Sequence, residues 1–304
     1  MKKVLIVHDI SCYGKCSTTV ALPILSSMEL TGTILPTALL STHTGPGFEN
    51  YTYLDLSQEM PKIVKNWQTY GLKFDAVYVG YLGNIQQIDF LLETLPDLLT
   101  EGGKFYLDPV MADDGAFYPG FDQAYADKMR SLCDIADLIM PNQTEASLIY
   151  GLPYQEGLVE DELFQQFVHA CNQVKKTSLV LTGAGYDGEG QTGAHYYDAD
   201  KDEEGLKQSD FIGRKLHGTG DIFGSILVGA LVNGFSLADA SALAVSKVSQ
   251  ALARSIDEPD VDREGLAFET LLGDLSAMVR QEKKQMHNLN EMMRLGQKFQ
   301  PLFK

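Results

Sequence analysis

The sequence predicts an α/β fold, a three-layer α/β/α sandwich built around a mostly parallel sheet. Three observations carry that reading. Short β-rich apolar runs alternate with helical patterns along most of the 304 residues, the rhythm of a parallel sheet covered on both faces. Right-handed crossovers put the strand C-termini on one edge, where such folds bind ligands. Asp9, Asp108, Asn142 and Thr182 each fall just past a predicted strand, on that edge. No internal repeat or linker-like segment interrupts the chain, so residues 1–304 read as one domain with a peripheral helical tail at about 266–304.

In chain order, Val4-Leu5-Ile6-Val7 is the first buried strand. Ser17 to Glu29 reads as the following helix, with Ser17 as its N-cap and Pro23 an irregularity inside it. Thr33 to Leu40 is β-rich, and Phe74 to Val79 is another strand. Asn84 is placed to cap a helix running to about Leu99. Lys104 to Leu107 and Asp137 to Met140 are further strands, with a helix from Phe121 to Leu132 between them. Helices near 143–150 and 160–175 lead to a strand at Ser178 to Leu181. After Gly183 the pattern changes. Residues 183–210 are rich in Gly and Asp, with Gly193 to Tyr197 and Phe211-Ile212 as short antiparallel strands, and helices follow at about 221–233 and 236–255.

Composition excludes several functions. Hydrophobic content of 44% is enough to fill a sizeable core. Twenty-four basic against forty-one acidic side chains give a net charge of −17, which argues against nucleic acid and anionic membranes as partners. A phosphate ligand stays open, because a local nest and a divalent metal can overcome a distant field. Met1-Lys2-Lys3 leads into only four strongly apolar residues, too few for a signal peptide, and no apolar run reaches membrane-span length. A cytoplasmic location is expected. The cysteines at 12, 16, 133 and 171 form no CxxC pair, so they read as reduced thiols rather than zinc ligands.

The most informative stretch is Gly218-Thr219-Gly220-Asp221, which opens the apolar segment Ile222 to Val232. Two glycines permit a tight bend, and the helix N-terminus adds about half a positive charge, so the amides there form an anion site. Asp221 on the first turn suggests an acid–base group beside a phosphate. The alternative is a glycine turn with a dipole-complementing Asp, and these four residues alone leave both open. Gly14-Lys15 is not a Walker A sequence, since Asp9 stands where its first glycine should be and Cys16 follows the lysine. Gly224 falls one place too late for a dinucleotide fingerprint, and no HExxH or GxSxG occurs.

Further blocks sit around the glycine turn. They are Val7-His8-Asp9-Ile10-Ser11-Cys12-Tyr13-Gly14, Leu35-Pro36-Thr37, Ser41-Thr42-His43-Thr44-Gly45, Gly80-Tyr81-Leu82-Gly83, Asp108-Pro109-Val110-Met111 with Asp113, and Pro141-Asn142-Gln143-Thr144-Glu145. In order and spacing they resemble the vitamin B6 (pyridoxal/pyridoxamine) kinase branch of the ribokinase-like superfamily, over roughly residues 3–255. GTGD and PNxxE are shared across the superfamily, whereas GYLG and the SxHTG stretch are more specific to this branch.

The resemblance implies a ribokinase-like fold without a large separate lid domain, and a kinase using ATP and Mg²⁺. A monovalent-cation requirement stays open. It implies that amides of Gly218, Thr219, Gly220 and Asp221 hold the migrating phosphoryl group while the Asp221 side chain takes the proton of a primary alcohol. Asp113 and Glu145 would stand near the metal, often through water. Asn142 and Asp108 would stand near the phosphates and Thr182 on the nucleotide side. Tyr81 would wall the pyridine ring, with Thr37 and His43 as polar contacts. A homodimer is the family's common state.

Each residue also has a plainer reading. Asn142 and Glu145 form an Asn-led capping box, Asp108-Pro109 can end a strand, His43 can be a satisfied structural histidine, and Tyr81 a core aromatic. One departure stands out: B6 kinases usually carry serine where Asp9 stands. A carboxylate there would pair with a protonated ring nitrogen or a 4-aminomethyl group, or fit the aminopyrimidine of hydroxymethylpyrimidine kinases. The expected reaction is phosphorylation of the 5′-hydroxymethyl group of pyridoxal, pyridoxamine or pyridoxine. The alternatives are a hydroxymethylpyrimidine kinase and a non-catalytic vitamin-binding member.

Overall fold

Alternate residues of the first strand split the interior in two. In β1 (Lys3–Ser11), Val4 and Ile6 enter one core while Leu5 and Val7 enter the other, the two-residue period of a strand buried on both faces. The protein was described from a computed structural model, over residues 1–45, 47–155, 157–183, 190–212, 216 and 218–299.

The elements follow as α1 (Thr18–Ser27), β2 (Thr31–Leu40), β3 (Tyr53–Asp55), α2 (Met60–Thr69), β4 (Phe74–Val79), α3 (Ile85–Leu98) and β5 (Leu99–Leu107). Next come the small hairpin β6 (Ala112–Asp113) and β7 (Ala116–Phe117), then α4 (Gln123–Cys133), β8 (Leu138–Ile139), α5 (Gln143–Tyr150), α6 (Asp161–Cys171) and β9 (Ser178–Thr182). The chain continues through β10 (Gln191–Asp198), β11 (Glu203–Asp210), α7 (Thr219–Val232), α8 (Leu237–Ser255), α9 (Val261–Glu264) and α10 (Leu272–Phe299).

Among the described residues the main sheet runs in the order β11-β10-β9-β8-β5-β4-β1-β2-β3. The six strands from β9 to β2 are parallel, while β3, β10 and β11 add antiparallel edges. One core packs α1, α7, α8 and the start of α10, through Leu275 and Val279, on the Val4/Ile6 face. The other packs α2 to α6 on the Leu5/Val7 face. This is the expected three-layer ribokinase-like sandwich. No helix among the described residues is long and apolar enough to cross a membrane.

Local chemistry explains where the boundaries differ from expectation. Asn84 caps α3 as expected, accepting from the Gln87 amide. The helix expected from Phe121 starts at Gln123 because the Asp122 side chain accepts from the Tyr125 amide. The helix expected to reach 175 ends at Cys171, where the Asn172 side chain donates to the Val168 and Thr177 carbonyls and accepts from the Thr177 amide. Ser17 precedes α1 but makes no side-chain cap; its hydroxyl turns to Asp9 instead. The partner of β10 is the polar run Glu203–Asp210, not Phe211-Ile212, which lies beyond the strand. Of the expected tail, residues 300–304 lie outside the described residues.

Candidate active site

The glycine turn is built by close approach. Gly218 has φ of 80°, and a Cβ there would meet the Lys15 carbonyl oxygen at 2.5 Å, so no other residue fits without moving the 14–16 loop. That loop is itself tied down, since the Lys15 amide donates to the Glu264 carbonyl at 2.7 Å. Gly218 offers no side chain to cap α7, and helix geometry leaves the amides of Thr219, Gly220 and Asp221 without intrahelical acceptors. Asp221 stands on this first turn with its side chain 15% exposed.

Behind Asp221 lies His8, a residue that motif reading passed over. It follows Val4 and Ile6 on the face of β1 that looks toward α7, and it is 1% exposed. Its Nε2 is 3.1 Å from Asp221 Oδ1 and its Nδ1 is 3.1 Å from Asp9 Oδ1. The amides of Asp9 and Tyr81 also point at Nδ1, each at 3.2 Å. The carboxylate asks for a proton on Nδ1 and the amides for a lone pair. Burial opposes charge on the ring, but hydrogen bonds and Coulombic attraction from Asp221 and Asp9 outweigh it and raise its pKa to about 10. In either state Nε2 carries a proton toward Asp221: the charged ring is protonated on both nitrogens, and in the neutral ring the two amides claim the Nδ1 lone pair.

Asp9 looks inward. Ser11 Oγ donates to its Oδ2 at 3.1 Å, and the Ser17 hydroxyl adds a further hydrogen bond. Burial alone would raise its pKa; His8, then Ser17 and Ser11, hold it below the ordinary carboxylate value. The free carboxylate expected to meet a substrate ring is thus engaged by the protein itself. A register shift between His8 and Ile10 in the β1–β2 ladder marks an irregularity at this pair.

A second group of acids gathers at the ends of β5 and β8. Asp108 is 8% exposed, and burial, with Asp221 nearby, lifts its pKa to about 7 despite the attraction of His8. Glu145 completes a real capping box with Asn142: Glu145 N–H donates to Asn142 Oδ1 and Asn142 N–H donates to Glu145 Oε2, each at 2.9 Å. Its other oxygen accepts from the Met111 amide at 3.1 Å. Burial and Asp108 push the Glu145 carboxyl far upward even so. The Asn142 side-chain amide donates to the Ala112 carbonyl at 2.7 Å, fixing the strand that carries exposed Asp113. Thr182 bridges to Asn142 across the β8–β9 edge, and its amide donates to the Pro141 carbonyl. The Tyr118 phenol, raised first by burial, senses Glu145, Asp113, Asp108 and Asp221 together.

This donor set suits Mg²⁺ in one particular way. Among the described residues no three His, Cys, Asp or Glu side chains form a cage for a metal. The Tyr118 phenol senses the carboxyls of Glu145, Asp113, Asp108 and Asp221, and buried Asp108 and Glu145 resist ionising there. A hydrated cation that leans on ligand phosphates is what such a field accommodates.

Opposite, the loop after β4 presents Tyr81, half-buried, edge-on to Phe121 and hydrogen-bonded to Tyr53. Tyr53, 42% exposed on β3, is a second aromatic that sequence reading missed. Thr37 is wholly buried and donates to the Tyr81 carbonyl at 2.9 Å, so it supports Tyr81 from behind. Gln87 and Tyr125 fasten the same loop, with Gln87 Oε1 accepting from the Gly83 amide and the Tyr125 hydroxyl donating to the Leu82 carbonyl. The structure gives His43 a fastening task as well: Nε2 bonds the Arg263 carbonyl at 2.8 Å, Nδ1 accepts from the Gly45 amide, and the ring packs on Phe48.

The sheet order, the glycine-opened α7 and the acids at the strand ends define the chain as a ribokinase-like kinase, a phosphotransferase with an alcohol group as acceptor. The family model described as phosphomethylpyrimidine kinase matches residues 25–262, and the chain belongs to that family. Among relatives, the pyridoxine/pyridoxal/pyridoxamine kinase of Bordetella pertussis is 26% identical over 80% of this chain and 86% of its own. The crystal structure of pyridoxal kinase from Lactobacillus plantarum is 31% identical, with a TM-score of 0.83 over 91% of this chain and 98% of that one. A Bacteroides thetaiotaomicron protein solved in an orthorhombic form with pyridoxal is 33% identical, with a TM-score of 0.84 over 90% and 95%. A Saccharomyces cerevisiae relative, 26% identical, is spanned over 64% of its length.

Proposed function

We propose that the protein transfers a phosphoryl group from ATP to the 5′-hydroxymethyl group of pyridoxal, pyridoxamine or pyridoxine. One observation carries the reading: a single imidazole lies 3.1 Å from Asp221 Oδ1 on one side and 3.2 Å from the Tyr81 amide on the other, so the acid and the aromatic loop are one ring apart. Tyr81 and Tyr53 wall the planar ring, with Thr37 holding Tyr81 in place. The alcohol then reaches Asp221, whose carboxylate accepts its proton late, as the bond to phosphorus forms. Amides of Thr219, Gly220 and Asp221 hold the migrating group, each donor contributing on the order of a few kcal/mol. Asn142, Asp108 and Thr182 face the nucleotide, and Asp113 and Glu145 hold the Mg²⁺ side through water. When bound, the metal neutralises phosphate charge.

The family model favours a second reading, a hydroxymethylpyrimidine kinase, since both rings carry a primary alcohol. Relatives whose names specify B6 vitamers support the first reading, and others named for the pyrimidine support the second. Purified protein with Mg·ATP and each ring separates them by ADP release. Turnover of a B6 vitamer above that of hydroxymethylpyrimidine is expected; turnover of the pyrimidine alone would replace our reading. Vitamer binding without ADP release would mark a vitamin-binding protein. A homodimer is proposed on the family resemblance, and light scattering of the purified chain checks it.

A further inference from the structure

We infer that His8 is a positioning residue for the transfer step: held between Asp9 and Asp221, it fixes the Asp221 carboxylate by its Oδ1 and leaves Oδ2 to the substrate alcohol. The inference rests on the kinase reading above and deepens it. Three geometric facts carry it. His8 contacts both acids at 3.1 Å, one through each ring nitrogen. The ring is buried to 1% exposure, so water does not compete for those contacts. Finally, the chain makes room for it: a Cβ on Gly80 would fall 2.2 Å from His8 Nε2, so the first glycine of Gly80-Tyr81-Leu82-Gly83 is a seat for the imidazole.

Asp9 takes its meaning from this arrangement. Burial disfavours charge on His8, and Asp221 first and then Asp9 favour it; Asp9 is held in turn by Ser11 and Ser17. The groups facing the ring are few. Asp9 comes from β1, Asp221 from α7, Asp108 from the end of β5, and Tyr78 from β4, edge-on with centroids 6.4 Å apart. Cys16, from the loop before α1, senses both Asp221 and Asp9. Burial first, and then those acids, raise its thiol to about 12, so it stays neutral. Tyr78 is also held neutral, chiefly by burial. The carboxylates that act on His8 are therefore Asp221 and Asp9.

Nitrogen NMR of ¹⁵N-histidine protein tests the inference without any substrate. An imidazolium at about pH 8 is expected for His8 in the wild type, with its midpoint falling by about one to three units in Asp9→Asn. An Nε2 that carries no proton at that pH would overturn the proposal, whatever the substrate proves to be. Steady-state kinetics supply the second arm. His8→Gln keeps one donor toward Asp221 and His8→Leu keeps none at similar volume. We expect kcat to fall by about 10-fold in the first and about 10²–10³-fold in the second, with KM for ATP nearly unchanged. Asp9→Asn should bring in a new loss of kcat as pH rises through the lowered His8 midpoint. Equal kcat in His8→Gln and His8→Leu, or an Asp9→Asn profile like the wild type, would leave His8 as packing alone. A wild type that turns over no ring, with His8 still charged, would instead remove the kinase reading.

Discussion

His8 and residue 80 compete for the same space, and that competition yields a first prediction. Gly80→Ala would drive a methyl into the imidazole, because β1 and β4 pair up to Val7 and Val79 and the Gly80 amide donates to the Val7 carbonyl, so the segments cannot part freely. We expect kcat to fall by about 10²-fold or more and stability to drop by about 1–3 kcal/mol, read from kinetics and urea unfolding. Asp221→Ala is the companion test. It should lower kcat by about 10²–10⁴-fold while ATP binding by calorimetry largely survives. Asp108 adds a pH dependence. Its folded pKa is raised from the ordinary value of 3.8 to about 7. The folded state therefore binds the proton more tightly than the unfolded chain, and stability falls as pH rises between those values. His8, raised to about 10, acts in the same direction at higher pH, its contribution present in full below its unfolded pKa and lost on approach to about 10. Thermal midpoints of Asp108→Asn should show a flatter slope across the acidic window than the wild type. An unchanged slope would show that Asp108 ionises freely.

At the scale of elements, the box at the start of α5 does two jobs, and Asn142→Ala separates them. The side chain caps the helix and also satisfies the Ala112 carbonyl, so its loss should cost about 1–3 kcal/mol in chemical unfolding. If Asn142 also faces the phosphates, KM for ATP rises along with it; stability loss with unchanged KM would restrict Asn142 to the cap. This box was legible in the sequence because its signal is local, four residues long. So were β4, found at Phe74–Val79, and the Asn84 cap of α3. What escaped was non-local or polar. Strand β11 is Glu203-Glu204-Gly205-Leu206-Lys207-Gln208-Ser209-Asp210, largely exposed at the sheet edge, so no apolar alternation announces it. Helix α2 buries only Met60 and Val64 and carries Pro61 at its start. His8 meets Asp221 across 213 positions, and the only local sign is the dipeptide His8-Asp9, which in isolation means nothing. Asp9 shows the same limit from the other side. Its chemistry suggested a ligand, and its burial turned it inward.

At the scale of the whole molecule, acidic charge and the site must be read together. A chain of net charge −17 repels itself, and the edge of the sheet concentrates that repulsion by gathering Asp108, Asp113, Glu145 and Asp221 around Tyr118. A divalent cation should therefore stabilise the folded protein beyond what general screening provides. Ordinary salt acts on every surface charge within a Debye length of about 10 Å, whereas a cation drawn to this cluster binds only the native state. We expect the thermal midpoint at about pH 8, where Asp108 is ionised, to rise by a few degrees more in millimolar MgCl₂ than in NaCl of equal ionic strength. The excess should shrink near about pH 5, where protonated Asp108 no longer contributes, and should diminish in Asp113→Asn. Mg·ATP should add more again, by about 2.7 kcal/mol at a hundredfold excess over its Kd. Equal midpoints in the two salts across this pH range would mean that the clustered acids are relieved by protonation alone, and the metal would then have to arrive with the nucleotide.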